Sequence, residues 1–593
     1  LAQNGNVIVI SLDTQAGGGV SSTVTLNAIP GYGVLGDIGG TRVKPWGTNT
    51  GDPNGPSVLS PGFNPDYALE INAGGNSGNY YIDVIDLTKG MADTNSARYL
   101  GSNTFGNAAV THTYTYADAS THGTISHAFN GTNTAGVNGY GAATLGDPLS
   151  DTTGLELSFS ADFLNRDPGQ QIKLLAGVTN DNGYFLSNQF LPGLNGIGNL
   201  GYPGRGVSDP LFNASRFAGT SFFTVPTPWA LTAGATWNSA ASWGAGIPND
   251  PGAQAQLLGA AATASAVTLD INATVGTLEF SNANRYTISG SNTLTLLGNR
   301  GTSTVLVDAG SHTIATAVSL GDAATLAVNN TASVLTISGN ISGPGSLTKT
   351  GGGAAVLGGT NIYGGGTTVN GGVLTFSSTA ARPASDVLTL GSSGSPVKGG
   401  TVVVTGDAAN LDATYRTQLL AGLTSSTGPV IKGAAVTNEG VGYLTGSEYN
   451  ALHPGNTLGL GANDMVLKYT YLGDVALKGF IDASDFAQID ASWLKGTYAT
   501  SGAHWINGDF NYDGKIDSAD FAILDAAYSA QAGGLANDPF LAGNAALLGL
   551  SVPAYASLVT AQAPLGVAAV PEPASLALLG LGTVALWRRR KSK

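Results

Sequence analysis

The sequence contains no cysteine. Disulfides, thiolate zinc sites and cysteine nucleophiles are therefore excluded. Charge is scarce as well: only 10% of residues are Asp, Glu, Lys or Arg, and acids outnumber bases 38 to 24. The net charge of −14 and a pI near 4.7 disfavour nucleic acid, whose phosphates need a basic surface. That balance suits divalent cations or neutral polymers better. Metalloprotease (H-E-x-x-H), nucleophile-elbow (G-x-S-x-G) and phosphate-loop signatures are missing too. The first residues, L-A-Q-N-G-N-V-I-V-I-S-L-D, show neither a basic n-region nor an apolar h-region. They read as a turn running into a strand. The expectation is a chain that starts inside a domain, with an export signal ahead of it.

What is plentiful is glycine, 87 residues in 593. A chain of that length should hold several domains, and the pattern here is mainly β. In residues 1–228, short β-rich runs recur at Val7–Leu12, Val24–Leu26, Tyr80–Ile85, Val110–Tyr116, Leu155–Phe159, Ile172–Ala176 and Ser221–Val225. Turn clusters such as Gly17-Gly18-Gly19 separate them, so a β-sandwich is expected. The pattern loosely resembles the carbohydrate-binding sandwiches of exported bacterial proteins. His112, His122 and His127 fall here and read as solvated loop residues. Trp46, Trp229, Trp237 and Trp243 could stack on sugars, although buried tryptophans are commoner.

From residue 229 to 470 short Leu/Val/Thr strands close on Gly or Asn, as in V-G-T-L-E-F at Val275 and S-V-L-T-I-S-G-N at Ser333. Their spacing, roughly ten to twenty residues, predicts a parallel β-helix or related solenoid. Stacked rungs bury an apolar face that one strand cannot bury alone. A more helical piece is expected around Leu411–Leu420. The stretch from Gly345 to Phe376 meets a fuller pattern at Leu347, Lys349, Gly351, Gly353, Leu357, Gly359, Asn361, Tyr363, Gly365, Thr367, Val369, Gly372 and Leu374. It resembles the autotransporter-associated β-strand repeat of large exported passenger proteins.

The chemistry concentrates in D-F-N-Y-D-G-K-I-D-S-A-D, from Asp509 to Asp520. Asp509, Asn511, Asp513, Asp517 and Asp520 put oxygens at positions 1, 3, 5, 9 and 12 of a twelve-residue loop. Gly514 permits the sharp turn, the Lys515 carbonyl supplies a further oxygen, and Ile516 pins the loop to the core. Calcium, which accepts six to eight oxygens in flexible geometry, is the expected ion. A related loop runs from Asp474 to Asp485, D-V-A-L-K-G-F-I-D-A-S-D, with Asp474, Asp482 and Asp485 at positions 1, 9 and 12. Positions 3 and 5 are Ala476 and Lys478. Two ligands are lost, and a cation is placed where a ligand should be. Similar helices follow both loops, F-A-Q-I-D-A-S-W and F-A-I-L-D-A-A-Y.

Two such loops, each ending in Asp and followed by a helix, resemble a type I dockerin over about Tyr471 to Ala530, within a module taken as residues 471–535. The resemblance implies a small α-helical EF-hand-like module, calcium-dependent folding and docking onto a cohesin-like module. In that family positions 10 and 11 read the partner. Here they are Ala483-Ser484 and Ser518-Ala519, a departure from the usual Ser-Thr pair that puts standard cohesin recognition in doubt.

Residues 536–569 read as a linker. The tail 570–593 brings Pro571, Glu572 and Pro573 into an apolar run from Ala574 to Trp587, closed by Arg588, Arg589 and Arg590. At about 1.5 Å per residue the run makes a C-terminal hydrophobic helix of roughly 20 Å, a little short of a bilayer core, with the arginines on the cytoplasmic side. The tail resembles the PEP-CTERM sorting signal. This implies recognition by an exosortase-type membrane protease, tail removal, and release or attachment outside a Gram-negative-type bacterium. Membrane contact is expected only through this tail before processing. An ordinary membrane anchor is the alternative. The whole reads as an exported, non-enzymatic protein of the cell surface or extracellular matrix. The rival readings are a polysaccharide lyase or glycosidase, and a carbohydrate-binding adhesin.

Overall fold

The computed structural model describes residues 6–15, 23–24, 57–58, 63, 65–73, 78–86, 97–115, 121–129, 155–160, 169–180, 186–191, 222–299, 301–392, 399–455, 458–495 and 502–531. Trp46, the His122 side chain, the linker 536–569 and the tail with Pro571, Glu572, Pro573, Arg588, Arg589 and Arg590 lie outside the described residues. No helix among the described residues is long and apolar enough to cross a membrane.

The amino-terminal region is built from antiparallel sheets. Strands Leu186–Leu191, Lys173–Asn180, Asn6–Asp13, Tyr67–Ala73, Asn79–Asp86 and Ala97–Thr104 lie side by side in that order. Tyr67, Leu69 and Ile71 of one strand, which is buried on both faces with Ala68 and Glu70, join the core with Tyr80, Ile82 and Val84 of the next, where burial alternates with period two. A second sheet, Val110–Thr115, Thr121–Phe129 and Leu155–Phe159, adds Ile125 and Phe129 to the same core. Tyr80 meets Phe129 edge-on, centroids 5.6 Å apart. The histidines depart from expectation. His127 is fully buried, its Nδ1 is hydrogen-bonded to the Tyr80 hydroxyl at 2.9 Å, and its ring stacks on His112 at 5.0 Å. Burial first, and His112 second, push its pKa down to about 4, so it stays neutral.

Residues 227–433 wind into a stacked series of parallel rungs. One sheet runs through Gln254–Leu257, Thr277–Ser281, Thr302–Ala309, Ala323–Val328, Leu347–Thr350, Thr367–Val369, Val387–Leu390 and Val430–Gly433, each hydrogen-bonded to the next in parallel. A second runs from Ser265–Thr268 through Ala354–Leu357 to Thr401–Val404, and a shorter third from Ala273–Val275 to Ile341–Ser342. A full turn takes about 20 to 27 residues, longer than the strand spacing in the sequence, because each turn carries two or three strands. Burial alternates along the strands up to Val387–Leu390, so Leu278, Val305 and Leu326 stack inward along one register column, whereas Thr401–Val404 is buried throughout.

The residues of the Gly345–Phe376 pattern act as staples between rungs. Lys349 is fully buried and its Nζ donates to the carbonyls of Thr350, Gly351 and Gly371 at 2.7, 3.0 and 3.3 Å. Burial pushes its pKa down to about 8. The Asn361 side chain accepts from Ile341 N at 2.8 Å and donates to Ala381 O at 2.6 Å, tying neighbouring turns together. At the start of the stack, Trp229, Trp237 and Trp243 are buried against one another. Their faces are consumed by core packing and offer no sugar platform.

The far end of the stack is closed by two antiparallel strands. Met465–Tyr471 pairs with Thr401–Val404 on one side and Glu439–Thr445 on the other. The helical piece expected near Leu411 is there, a π-turn Leu411–Arg416 continued by helix Thr417–Gly422. The two-loop module lies directly on this closing sheet. The Tyr512 hydroxyl donates to Val441 O at 2.8 Å, and one apolar core runs without interruption from Trp229 to Ala527. Gly440 and Gly442 make the approach possible. A Cβ on Gly442 would stand 2.2 Å from Leu477 Cδ2 and 2.7 Å from Trp505 Cε2.

Candidate metal centre

The two loops fold as copies of each other. In the second, Asp509 Oδ2 accepts from Gly514 N at 2.9 Å, the one-to-six contact that closes the turn. Gly514 sits at φ +85°, where a side chain would be strained, and a Cβ there would also meet Arg416 Nη1 at 2.2 Å. Asp520 Oδ1 accepts from Phe510 N at 2.8 Å, and its Oδ2 from Asp517 N at 3.0 Å. Asn511 Oδ1 accepts from Asp513 N, and Asp513 Oδ1 from Lys515 N. Ile516 is fully buried and holds the loop to the core, as its position predicts. Helix Ser518–Gln531 then leads away, with Asp520 in its first turn.

The first loop repeats these contacts. Asp474 Oδ2 accepts from Gly479 N at 2.6 Å, and Asp485 accepts from Val475 N at 2.9 Å and Asp482 N at 2.8 Å. Asp482 and Asp485 form a capping box at the start of helix Ala483–Leu494. Trp505 Nε1 donates to Asp474 O at 2.9 Å, and Gln531 brackets Ile481 through N–H and carbonyl, so each half of the module grips the other.

The electrostatics separate them. In the second loop Asp509 and Asp520 are both fully buried. Asp509 Oδ1 has no hydrogen-bond partner. Burial pushes the Asp509 pKa up to about 7, with the Asp513 carboxylate adding to it and the Arg416 guanidinium opposing it. The Asp520 carboxyl is driven well above the usual range, again chiefly by burial. A buried carboxylate oxygen without a donor is costly. A divalent ion would remove that cost, and the donors are hard oxygens that suit calcium. The second loop therefore fits a calcium ion, which Asp509, Asn511, Asp513, Asp517, Asp520 and the Lys515 carbonyl would hold. Among the described residues no group of three acidic or histidine side chains converges as a ready-made cage. The carboxylates are turned onto backbone N–H groups instead.

The first loop does not fit in the same way. Every carboxylate oxygen of Asp474 and Asp485 has a donor, including Thr470 Oγ1 on Asp474. Lys478, at position 5, places its Nζ 2.7 Å from Asp482 Oδ2 and 3.3 Å from Asp485 Oδ2.

Residues 472–527 match the family model of the dockerin type I domain. The chain carries a dockerin domain. Residues 569–591 match the model of the PEP-CTERM protein-sorting motif, which implies exosortase processing and export. No curated protein and no solved structure matches the chain. At positions 10 and 11 of the two dockerin loops, Ala483, Ser484 and Ser518 are exposed and Ala519 is half-buried. Ser484 Oγ donates to Asp482 Oδ1 at 2.6 Å and accepts from Lys478 Nζ at 3.0 Å. The sequence did not foretell that this hydroxyl is held by the loop lysine. The signal was Lys478 itself, out of place at a ligand position.

Proposed function

We propose that the protein is an exported, non-enzymatic component of the cell surface or extracellular matrix, in which calcium completes the second dockerin loop and the dockerin holds a cohesin-like partner. Residues 1–228 form its sandwich, 229–470 a solenoid spacer containing one autotransporter-associated repeat, 471–535 the dockerin, 536–569 a linker and 570–593 a tail removed by an exosortase-type protease. The observation that carries the calcium reading is the buried Asp509 Oδ1, left without a donor beside the equally buried Asp520.

The acids scattered over the solenoid support a structural role. Asp270 accepts from Asn238 N, Glu279 from Gln256 Nε2, Asp308 from Asn329 Nδ2 and Asp322 from Gly298 N. Each makes a local hydrogen bond to a neighbouring turn or rung, although Asp322 also keeps a buried Oδ1 without a partner. Such a surface suits a spacer, with polysaccharide as a ligand rather than a substrate.

The test is recovery of the protein from its native host. The expected result is a chain lacking the segment beyond Val570, found in the surface or matrix fraction and released by a calcium chelator. An intact chain in the cytosol, or one that frees reducing ends from polysaccharides, contradicts the proposal.

A further inference from the structure

The first dockerin loop carries its own cation. Its backbone path matches that of the second loop: position 1 accepts from position 6, and position 12 accepts from positions 2 and 9. The difference lies in what faces the carboxylates. Position 5 is Asp513 in the second loop and Lys478 in the first. The Lys478 ammonium reaches back across the turn to Asp482 and Asp485, the carboxylates at positions 9 and 12, at 2.7 and 3.3 Å. Its remaining donor capacity goes to Ser484 Oγ at 3.0 Å. The ammonium thus donates hydrogen bonds to Asp482 and Ser484 and forms an ion pair with Asp485. The stem is braced as well, with Nζ 5.1 Å from the centre of the Phe480 ring.

A second lysine completes the arrangement. Lys468 Nζ donates to the Leu477 carbonyl at 2.7 Å, on the inner side of the same turn. The first loop thus holds positive charge on both sides, and Asp474 and Asp485 keep no oxygen without a donor. A divalent ion entering here would displace the ammonium from two carboxylates and then sit within a few ångströms of it.

We propose that Lys478 is the resident cation of the first loop, standing where a metal would stand, so that this dockerin binds one divalent ion and its first half stays assembled when calcium is withdrawn. The claim concerns the first loop and rests on the calcium reading above only for the ion in the second. One consequence is that Ser484, a partner-reading position, is fixed by the lysine independently of calcium, whereas Ser518 and Ala519 lie beside the calcium-dependent loop.

The experiment is equilibrium dialysis of the full-length chain against millimolar radioactive calcium, counting ions bound per chain. One ion is expected for the native sequence, none for Asp509→Asn, and one more than the native count for Lys478→Asp, which swaps the ammonium for a ligand. Two ions on the native chain, or one remaining on Asp509→Asn, overturn the proposal, and neither arm depends on the Lys478 variant folding. A zero count on the native chain, with one ion gained by Lys478→Asp, removes the second-loop reading and with it the count of one, and upholds Lys478 as the cation of the first loop.

Discussion

Asp509→Asn will lower the stability of the protein in calcium and leave it equal or higher in chelator. The reversal follows from the environment of one atom. Asn keeps an oxygen for Gly514 N and removes the charge from a site where Oδ1 has no donor. In chelator that removes a carboxylate whose charged form is disfavoured by burial, so the variant is not destabilised there. In calcium the native chain gains RT ln(1 + [Ca]/Kd), about 2.7 kcal/mol when calcium stands at 100 times Kd, and the variant forfeits it. Scanning calorimetry on both chains, with and without chelator, measures the crossing. Parallel behaviour in both conditions would mean that Asp509 holds no ion.

The pH dependence should reverse too. The folded-state pKa of Asp509 is raised to about 7 and that of Asp520 is also raised, both above the unfolded carboxylate value of about 3.9. Between those limits the folded form binds more protons than the unfolded one. Stability in chelator therefore falls as pH rises from about 4 to 7. With calcium present, protons compete with the ion, and calcium's contribution grows over the same window.

Gly442→Val will strongly destabilise the junction of solenoid and dockerin. The new side chain would start 2.2 Å from Leu477 and 2.7 Å from Trp505, both buried and hemmed in. Neither can yield cheaply, since Trp505 also holds Asp474 O and stacks near Phe510 and Tyr512. Overpacking of this kind costs about 1–3 kcal/mol. Because one core spans solenoid and dockerin, the native chain should lose both in a shared transition that calcium shifts upward. The valine variant should split that transition, leaving a calcium-insensitive solenoid step. Gly364→Ala, where an added Cβ meets nothing within 4 Å, is the control and should change stability by less than about 0.5 kcal/mol. A single unshifted transition in the valine variant would refute the coupling.

Legibility in the sequence followed how local each signal was. Ligand spacing within a twelve-residue loop is a linear code, and Asp509 to Asp520 could be read position by position. Lys478 was visible as an intruder, but its reach to Asp482 and Asp485 depends on the fold of the turn. The solenoid strands announced themselves by alternation, yet the length of a rung did not, because strand spacing and turn length differ when a turn holds more than one strand. In the amino-terminal sheets, Val7–Leu12 and Leu155–Phe159 stood out as apolar runs. Tyr67–Ala73 did not, since the acid Glu70 interrupts its apolar residues although the strand is buried on both faces from Tyr67 to Ile71. The seat of the dockerin was invisible for a different reason. It depends on the absence of side chains at Gly440 and Gly442, two glycines among many, and only the facing Leu472, Leu477 and Trp505 give them meaning.

The central claim is that the second dockerin loop holds the calcium. Long-wavelength anomalous diffraction from crystals of the protein grown in calcium tests it most directly. The predicted result is a peak about 2.3–2.6 Å from the side-chain oxygens of Asp509, Asn511, Asp513 and Asp520 and the Lys515 carbonyl, with Asp517 in direct or water-mediated contact. An empty second loop, or an ion found only between Asp474 and Asp485, would contradict it.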